Sequence, residues 1–225
     1  ALPEYEAAAR LQGGFASEAL YRAGFVQFQD DDFEKAIVTF ESFMTQYGGK
    51  GDPERERRVQ VFLGRAQLEQ KKYAKAEQVF EALVNGKDGA EAHLWQGRVF
   101  QRLGKHTDAE AIVAAALKRY ANDPLKPDLL FDLGQYQMAQ EKFEKAGQSL
   151  DQLLREFKEY DRRADAVRHN ALCKHRAEDY AASLALCRDF LVANAEAVEA
   201  ADMMFLEAEN RFFLNQTKEA VVAYE

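Results

Sequence analysis

The chain has 225 residues, of which 47% are hydrophobic and 30% are charged, and its formal net charge is −8. This composition is too apolar for a disordered chain and too charged for a membrane-embedded one. The acidic balance is the opposite of what proteins that grip nucleic-acid phosphates carry. The longest uninterrupted apolar run, residues 111–117, is far shorter than a bilayer span. We therefore expect neither a nucleic-acid partner nor a membrane-spanning segment.

The first sixteen residues contain one predicted helix, over residues 5–12, which Gly13 and Gly14 would end. Two interpretations of residues 1–16 remain open. The segment is either a cap on the structure that follows or the remnant of a preceding repeat.

From residue 17 onward the sequence repeats a helix–turn–helix pattern. In the first copy, residues 17–29 and 33–47 are predicted helices, and the three aspartates at 30–32 form a turn rich in capping oxygens. Clusters of Gly, Asn, Asp and Pro separate the first copies, at residues 48–53, 85–89 and 122–124. Within the first cluster, Asp52 followed by Pro53 predicts an N-cap and a proline in the first helical turn.

The repeat is clearest in its small residues. They recur at intervals of 33 to 40 residues, at Ala36, Ala76, Ala109, Ala146, Ser183 and Ala220. Twelve positions before them stand other small residues: Gly24, Gly64, Gly97, Gly134, Ala171 and Ala208. A glycine inside a helix costs about 1 kcal/mol relative to alanine, so four glycines at one register indicate close helix packing. We expect Gly64 to contact Ala76 across this seam.

Larger residues follow each small residue by one helical turn and are predicted to fill the seam. They are Phe40, Phe80, Val113, Leu150, Cys187 and Tyr224. No stretch shows the alternation of apolar and polar residues that predicts a β-strand.

The order Gly or Ala, aromatic, Ala, aromatic resembles the tetratricopeptide repeat, over residues 17–225. The resemblance implies an all-α, right-handed α-solenoid of about six helical hairpins. The repeats would cover residues 17–56, 57–89, 90–126, 127–163, 164–200 and 201–225. The last repeat stops inside its second helix, so we expect a fragment of a longer protein. The chain departs from the family in lacking a proline near the end of the second helix, and several periods exceed 34 residues.

Residues 19–24 and 33–43 are similar to bacterial envelope members of this family, namely the outer-membrane assembly lipoproteins and the Tol–Pal-associated periplasmic proteins. This narrower resemblance implies a periplasmic or envelope location rather than a cytoplasmic one. It is compatible with a lipid anchor upstream of the chain.

In this family the first helix of each repeat lines the concave surface, and the repeat alignment transfers that role to ten residues. They are Tyr21, Phe25, Phe62, Arg65, Leu94, Trp95, Arg98, Arg102, Phe131 and Met138. Together with Arg58 they predict an apolar groove with arginines at its centre, the residue types that dominate binding hot spots. The alternative is that neighbouring helices bury these aromatic residues as core.

No sequence pattern predicts catalysis or a cofactor. Gly48 to Gly51 lacks the spacing of a phosphate loop. His169 and Cys173 have the i, i+4 spacing of a ligand pair, but a structural metal site needs four ligands, so we expect no metal. We expect a non-catalytic scaffold with a protein or peptide partner. The alternative is a structural or self-assembly module within a larger multidomain protein, whose enzymatic activity would lie elsewhere. The oligomeric state stays open.

Overall fold

The computed structural model describes residues 1–11, 13–86 and 89–224, and for residues 222–224 it describes the backbone alone. Every regular element within these ranges is an α-helix. The helices are α1 (Leu2–Arg10), α2 (Ala16–Gln29), α3 (Phe33–Tyr47), α4 (Pro53–Glu69), α5 (Tyr73–Leu83), α6 (Gly89–Arg102), α7 (His106–Arg119), α8 (Lys126–Ala139), α9 (Phe143–Glu156), α10 (Arg163–Arg176), α11 (Tyr180–Ala193), α12 (Ala200–Phe213) and α13 (Thr217–Tyr224). Within the described ranges, no helix is long and apolar enough to cross a membrane.

The helices fall into two compact units, Ala1–Lys105 and His106–Glu225. In the first unit each helix from α1 to α5 packs against the next one in the chain, and α4 also packs against α2 and α6. In the second unit α7 to α13 pack in the same way, and α10 also contacts α8 and α12. Each unit is therefore a stack of helical hairpins in which the first helices of successive repeats touch one another.

The seam of each hairpin is built as the small residues predicted. The six aligned small residues, from Ala36 to Ala220, are all at most 1% exposed. The atoms nearest to a Cβ placed on Gly24 or Gly64 belong to the large seam residue. A Cβ on Gly64 would lie 2.6 Å from Cζ of Phe80, and one on Gly24 would lie 2.5 Å from Cε1 of Phe40. Of the predicted seam residues, only the backbone of Tyr224 is described, so its place in the seam stays a prediction.

The turn inside every hairpin has one geometry. The residue five positions before each aligned small residue has a positive φ: 58° at Asp31, 57° at Lys71, 72° at Gly104, 58° at Glu141, 62° at Glu178 and 59° at Asn215. The next residue donates its backbone N–H to a carbonyl five residues back, as Lys72 does to Gln67 over 2.8 Å. This is the Schellman motif, which satisfies the last carbonyls of the preceding helix.

Side-chain caps begin several helices. The Asp32 carboxylate accepts a hydrogen bond from the backbone N–H of Lys35 at 3.3 Å, as the aspartate turn predicted. Asp52 accepts from the N–H of Glu54 at 3.0 Å, and the proline that follows occupies the first turn of α4. The N-terminal helix begins earlier than predicted, at Leu2, because a proline is tolerated in the first turn. Gln12, Lys87 and Asp88, which the sequence placed in a helix end and a loop, lie outside the described residues.

Candidate functional site

The first unit carries a groove of ≈ 410 Å³ on the side formed by α2, α4 and α6. Its lining residues are Tyr21, Phe25, Glu54, Arg58, Val61, Phe62 and Glu91. Helix α2 supplies the first two, α4 the next four and α6 the last. The groove exists because the first helices of three successive repeats lie side by side and present the same register of residues to one face.

Aromatic rings form the floor of this groove. The ring centroids of Phe25 and Phe62 lie 5.0 Å apart in an edge-to-face arrangement, and those of Tyr21 and Phe25 lie 6.3 Å apart. Phe62 also meets Phe28 at 5.2 Å. All four rings are half-buried. Each ring is therefore held by its neighbours while part of its surface stays in contact with water.

Charged side chains stand at the edge of the aromatic floor. Arg58 lies 3.0 Å from Glu54 in an exposed ion pair. A hydrogen bond to Tyr21 and the charge of Glu54 raise the pKa of Arg58, so this guanidinium stays charged at every relevant pH. Glu91, on the far side, accepts a hydrogen bond from the indole nitrogen of Trp95 at 3.3 Å.

Next to the groove, Arg65 lies among three aromatic rings. Its guanidinium carbon is 4.9 Å from the centroid of Phe28, 5.2 Å from that of Phe62 and 4.5 Å from that of Trp95. Arg98 lies 4.5 Å from the same Trp95 ring. Desolvation lowers the pKa of Arg65, and its Nε is buried without a hydrogen-bond partner. The cluster is thus a pair of cations held by aromatic faces.

The structure brings six of the ten predicted binding residues together in the first unit, and a seventh lies at the end of α6. Tyr21, Phe25 and Phe62 line the groove, Arg65, Trp95 and Arg98 form the adjoining cluster, and Arg102 is exposed in the last turn of α6.

Three predicted binding residues do not lie on an open groove. Leu94 is buried, at 3% exposure. Phe131 is fully buried, because the guanidinium of Arg162 lies 4.1 Å from its ring centroid and the Tyr160 ring lies 6.0 Å away. Met138 is half-buried against the core cluster of the second unit. For Leu94 and Phe131 the prediction of an exposed position was wrong, since packing around them covers what an isolated helix would expose.

Sequence reasoning missed the two glutamates of the groove, Glu54 and Glu91. A signal existed for one of them, since Glu91 occupies in the third repeat the position that Arg58 occupies in the second. Acidic residues on a helix surface are usually read as solvated, so neither one distinguished itself from the other exposed carboxylates of α4 and α6.

The second unit has a groove of ≈ 380 Å³ between α10 and α12. It is lined by Arg168, His169, Leu172, His175, Arg176, Asp202, Met203, Phe205, Leu206 and Glu209. The Phe205 side chain is 59% exposed and Leu172 is 36% exposed. Desolvation lowers the pKa of His169, which disfavours the charged form of this imidazole. None of these residues belongs to the ten that the sequence predicted.

The cysteines are part of the core of the second unit. Cys173 and Cys187 are free and buried, and burial raises the pKa of the two thiols to about 12 and about 11. Protonated, buried thiols behave as small hydrophobic groups. Across the described part of the chain, no three His, Cys, Asp or Glu side chains come together as metal ligands, and this includes His169 and Cys173.

Two family models for the tetratricopeptide repeat match the sequence, over residues 63–124 and residues 18–49. The fold is similar to the C-terminal part of a tetratricopeptide repeat-containing protein from Cytophaga hutchinsonii, with a TM-score of 0.77 and 12% identity over 99% of this chain and 86% of that one. It is also similar to PilW, a type IV pilus biogenesis factor, with a TM-score of 0.70 and 17% identity over 94% of this chain and 91% of PilW.

A third similar structure is YrrB, described as a tetratricopeptide-repeat protein with an unusual peptide-binding site. The TM-score is 0.60 and the identity 14%, over 89% of this chain and 97% of YrrB. A comparison with curated protein sequences finds no match. At these identities the structural likenesses show the fold alone. The predicted fold class, an all-α array of tetratricopeptide hairpins, is confirmed, and the chain contains matches to the tetratricopeptide repeat within residues 18–49 and 63–124.

Proposed function

We propose that this chain is a non-catalytic scaffold that binds a peptide or protein segment in the groove between α2 and α4. The observation that carries the proposal is the aromatic floor formed by Tyr21, Phe25 and Phe62 inside a groove of ≈ 410 Å³. Covering apolar surface gains about 25 cal/mol for each Å² removed from water. Half-buried, mutually supported rings are also the residues on which binding energy concentrates.

The charges beside the floor indicate what the bound segment carries. Arg65 makes no ion pair with any described carboxylate, while its charge is partly desolvated by Phe28, Phe62 and Trp95. A carboxylate on the partner would compensate that charge through a charge-assisted hydrogen bond. The ligand that fits is a segment with an apolar anchor for the aromatic floor and an acidic side chain that reaches toward Arg65. YrrB, which has an unusual peptide-binding site, supports peptide binding as a task this fold can perform.

The experiment compares partners that wild-type protein and groove variants retain from an extract of the native cells. Phe25→Ser removes part of the aromatic floor, and Arg58→Glu reverses a charge at its edge without touching the core. Val38→Ser is the matched control, because Val38 is an exposed apolar residue on α3, away from the groove. We expect both groove variants to lose a specific partner at least tenfold and the control to keep it.

Thermal melts of the same proteins separate binding from folding. If Arg58→Glu melts like the wild type and yet retains the full set of partners, the groove does not bind them. Because the Arg58 side chain is exposed and, among the described residues, interacts only with Glu54 and Tyr21, this variant is expected to melt close to the wild type.

We also propose that the protein works in a bacterial envelope complex, in the periplasm or at the envelope. This rests on the similarity of residues 19–24 and 33–43 to envelope members of the family, and the fold likeness to the pilus biogenesis factor PilW is in keeping with it. Fractionation of the native cells tests this location. Recovery of the protein with cytoplasmic markers would contradict it.

A further inference from the structure

The grooves of the two units occupy the same position in the repeat. Counting back from the aligned small residue of each repeat, Tyr21 and Phe25 correspond to Arg168 and Leu172. On the second helix of each groove, residues 58, 61, 62 and 65 correspond to residues 202, 205, 206 and 209. The two sets line grooves of ≈ 410 Å³ and ≈ 380 Å³. The second groove is therefore the same architectural site built from different side chains.

The second groove keeps an apolar floor. Leu172 takes the place of Phe25, Leu206 that of Phe62 and Phe205 that of Val61. Met203 lies beneath them and is buried. The exposed part of the floor is larger here, since Phe205 is 59% exposed where Val61 is 5% exposed. Large apolar side chains this exposed mark a surface that gains from being covered.

The charges on the second helix are inverted between the two grooves. Arg58 and Arg65 on α4 are replaced by Asp202 and Glu209 on α12. Asp202 is exposed and makes no ion pair with any described cation. On the opposite edge, α10 contributes Arg168 and Arg176. The groove is thus polarised, with cations along α10 and carboxylates along α12.

From this inversion we propose that the groove between α10 and α12 is a second peptide-binding site, for a segment whose large apolar side chain is flanked by a lysine or arginine. The apolar side chain packs on Leu172, Phe205 and Leu206, and the cation lies along α12 beside Asp202. A cation in that position is attracted by the carboxylates of α12. If the peptide bound in the opposite orientation, its cation would lie beside Arg168 and Arg176 and be repelled. This proposal rests on the proposed function in one respect: the second groove occupies the equivalent position in its repeats. The ligand proposed here differs from that of the first groove, because its charged side chain is basic rather than acidic.

The test uses displayed nonapeptides with a fixed central phenylalanine and randomised flanks, selected on the purified protein. Each selected clone is then assayed against Phe205→Ser, Asp202→Lys and Phe25→Ser. The matched control is Val192→Ser, because Val192 is an exposed apolar residue on α11, outside the groove. Phe205 and Asp202 are both exposed, so these variants are expected to fold.

Clones that lose at least tenfold in affinity with Phe205→Ser are expected to be enriched in Lys and Arg and to be unaffected by Phe25→Ser. With Asp202→Lys the selection should shift toward Asp and Glu. Val192→Ser should leave every clone unchanged. If the selection yields no clone that depends on Phe25, that result counts against the function proposed for the first groove only. The second site is then still supported by the clones that depend on Phe205.

Two results would overturn the inference. One is a selection in which no clone depends on Phe205, or in which the clones that do are acidic. The other is a dimer of the wild-type protein, measured by light scattering, that Phe205→Ser converts to a monomer. In that case a second copy of the chain, rather than a basic peptide, covers the groove.

Discussion

Gly64 lies against the tip of the Phe80 ring, so that a Cβ on residue 64 would stand 2.6 Å from Cζ of Phe80. Phe80 is fully buried and its ring stacks on that of Trp95 at 6.3 Å, so a shift of the ring disturbs its neighbours. The glycine is therefore required by contact and not by backbone conformation.

Substitution of Gly64 tests this contact. We expect Gly64→Ala to destabilise the protein by about 1–3 kcal/mol, because overpacking outweighs the gain in helix propensity. Gly147→Ala is the matched control: a Cβ there would make ordinary contacts, the nearest at 3.5 Å, and should stabilise by about 0.5–1 kcal/mol. Urea denaturation followed by circular dichroism measures both. Equal effects of the two substitutions would show that the Phe80 ring imposes no constraint.

A buried glutamine occupies the same position in three repeats, and in two of them a hydroxyl group donates a hydrogen bond to its side chain. The Thr39 hydroxyl donates to Oε1 of Gln27 at 2.7 Å, and the Ser149 hydroxyl donates to Oε1 of Gln137 at 2.8 Å. In the second repeat the hydroxyl position holds Val79, and Oε1 of Gln67 is buried without a partner. An unsatisfied buried acceptor costs about 1–3 kcal/mol.

We therefore expect Val79→Thr to stabilise the protein by about 1 kcal/mol, because threonine has nearly the shape of valine and supplies the missing donor. The exposed Val38→Thr has no buried acceptor to satisfy and serves as the control. The midpoint of urea unfolding measures the difference. A Val79→Thr variant no more stable than Val38→Thr would mean that Gln67 is already satisfied by water.

The seam residues could be predicted from sequence because each is constrained at its own register. Ala76 and Phe80, for example, recur as small and large residues in every repeat, and both are fully buried. The exposure of the groove residues could not be predicted in the same way. Tyr21 and Phe131 share one repeat position, but Phe131 is covered by Arg162, which lies just before α10. Equivalent positions in the repeat alignment do not determine which other residues cover each side chain.

The conformation of the hairpin turns could also be predicted from the sequence only in part. A left-handed residue closes every hairpin, yet Lys71, Glu141 and Glu178 occupy that position in three of them. Glycine or asparagine is the usual signal for this conformation. Here the Schellman hydrogen bonds and the packed hairpin hold an ordinary residue in it, so tertiary structure overrides local preference.

Two substitutions at this turn position are expected to change stability in opposite directions. Glu141→Gly should stabilise the protein by about 0.5–1 kcal/mol, because it relieves a left-handed conformation that disfavours a side chain. Gly104→Ala, at the equivalent turn, should destabilise it by about 1 kcal/mol. Chemical denaturation of the two variants checks the signs. If both changes destabilise, Glu141 has contacts that outweigh its backbone strain.

The last prediction concerns Trp95, which the sequence placed among the partner-binding residues. Its ring is stacked 6.3 Å from the Phe80 ring and holds the guanidinium groups of Arg65 and Arg98, each 4.5 Å from its centroid. Trp95→Ala should therefore lower the free energy of unfolding by about 2–3 kcal/mol, because it removes packing and leaves two neighbouring cations without a ring between them. The loss should be smaller than for a fully buried tryptophan, since this ring is only half-buried.

Trp95→Phe is the matched variant, because it keeps an aromatic face and should cost less than about 1.5 kcal/mol. Trp95 is the chain's single tryptophan, so unfolding has to be followed by circular dichroism and not by indole fluorescence. If Trp95→Ala is as stable as the wild type but loses its partner, the ring contacts the partner directly. If it loses stability while Trp95→Phe binds normally, the ring supports the groove from behind, as its contacts with Phe80 and the two arginines lead us to expect.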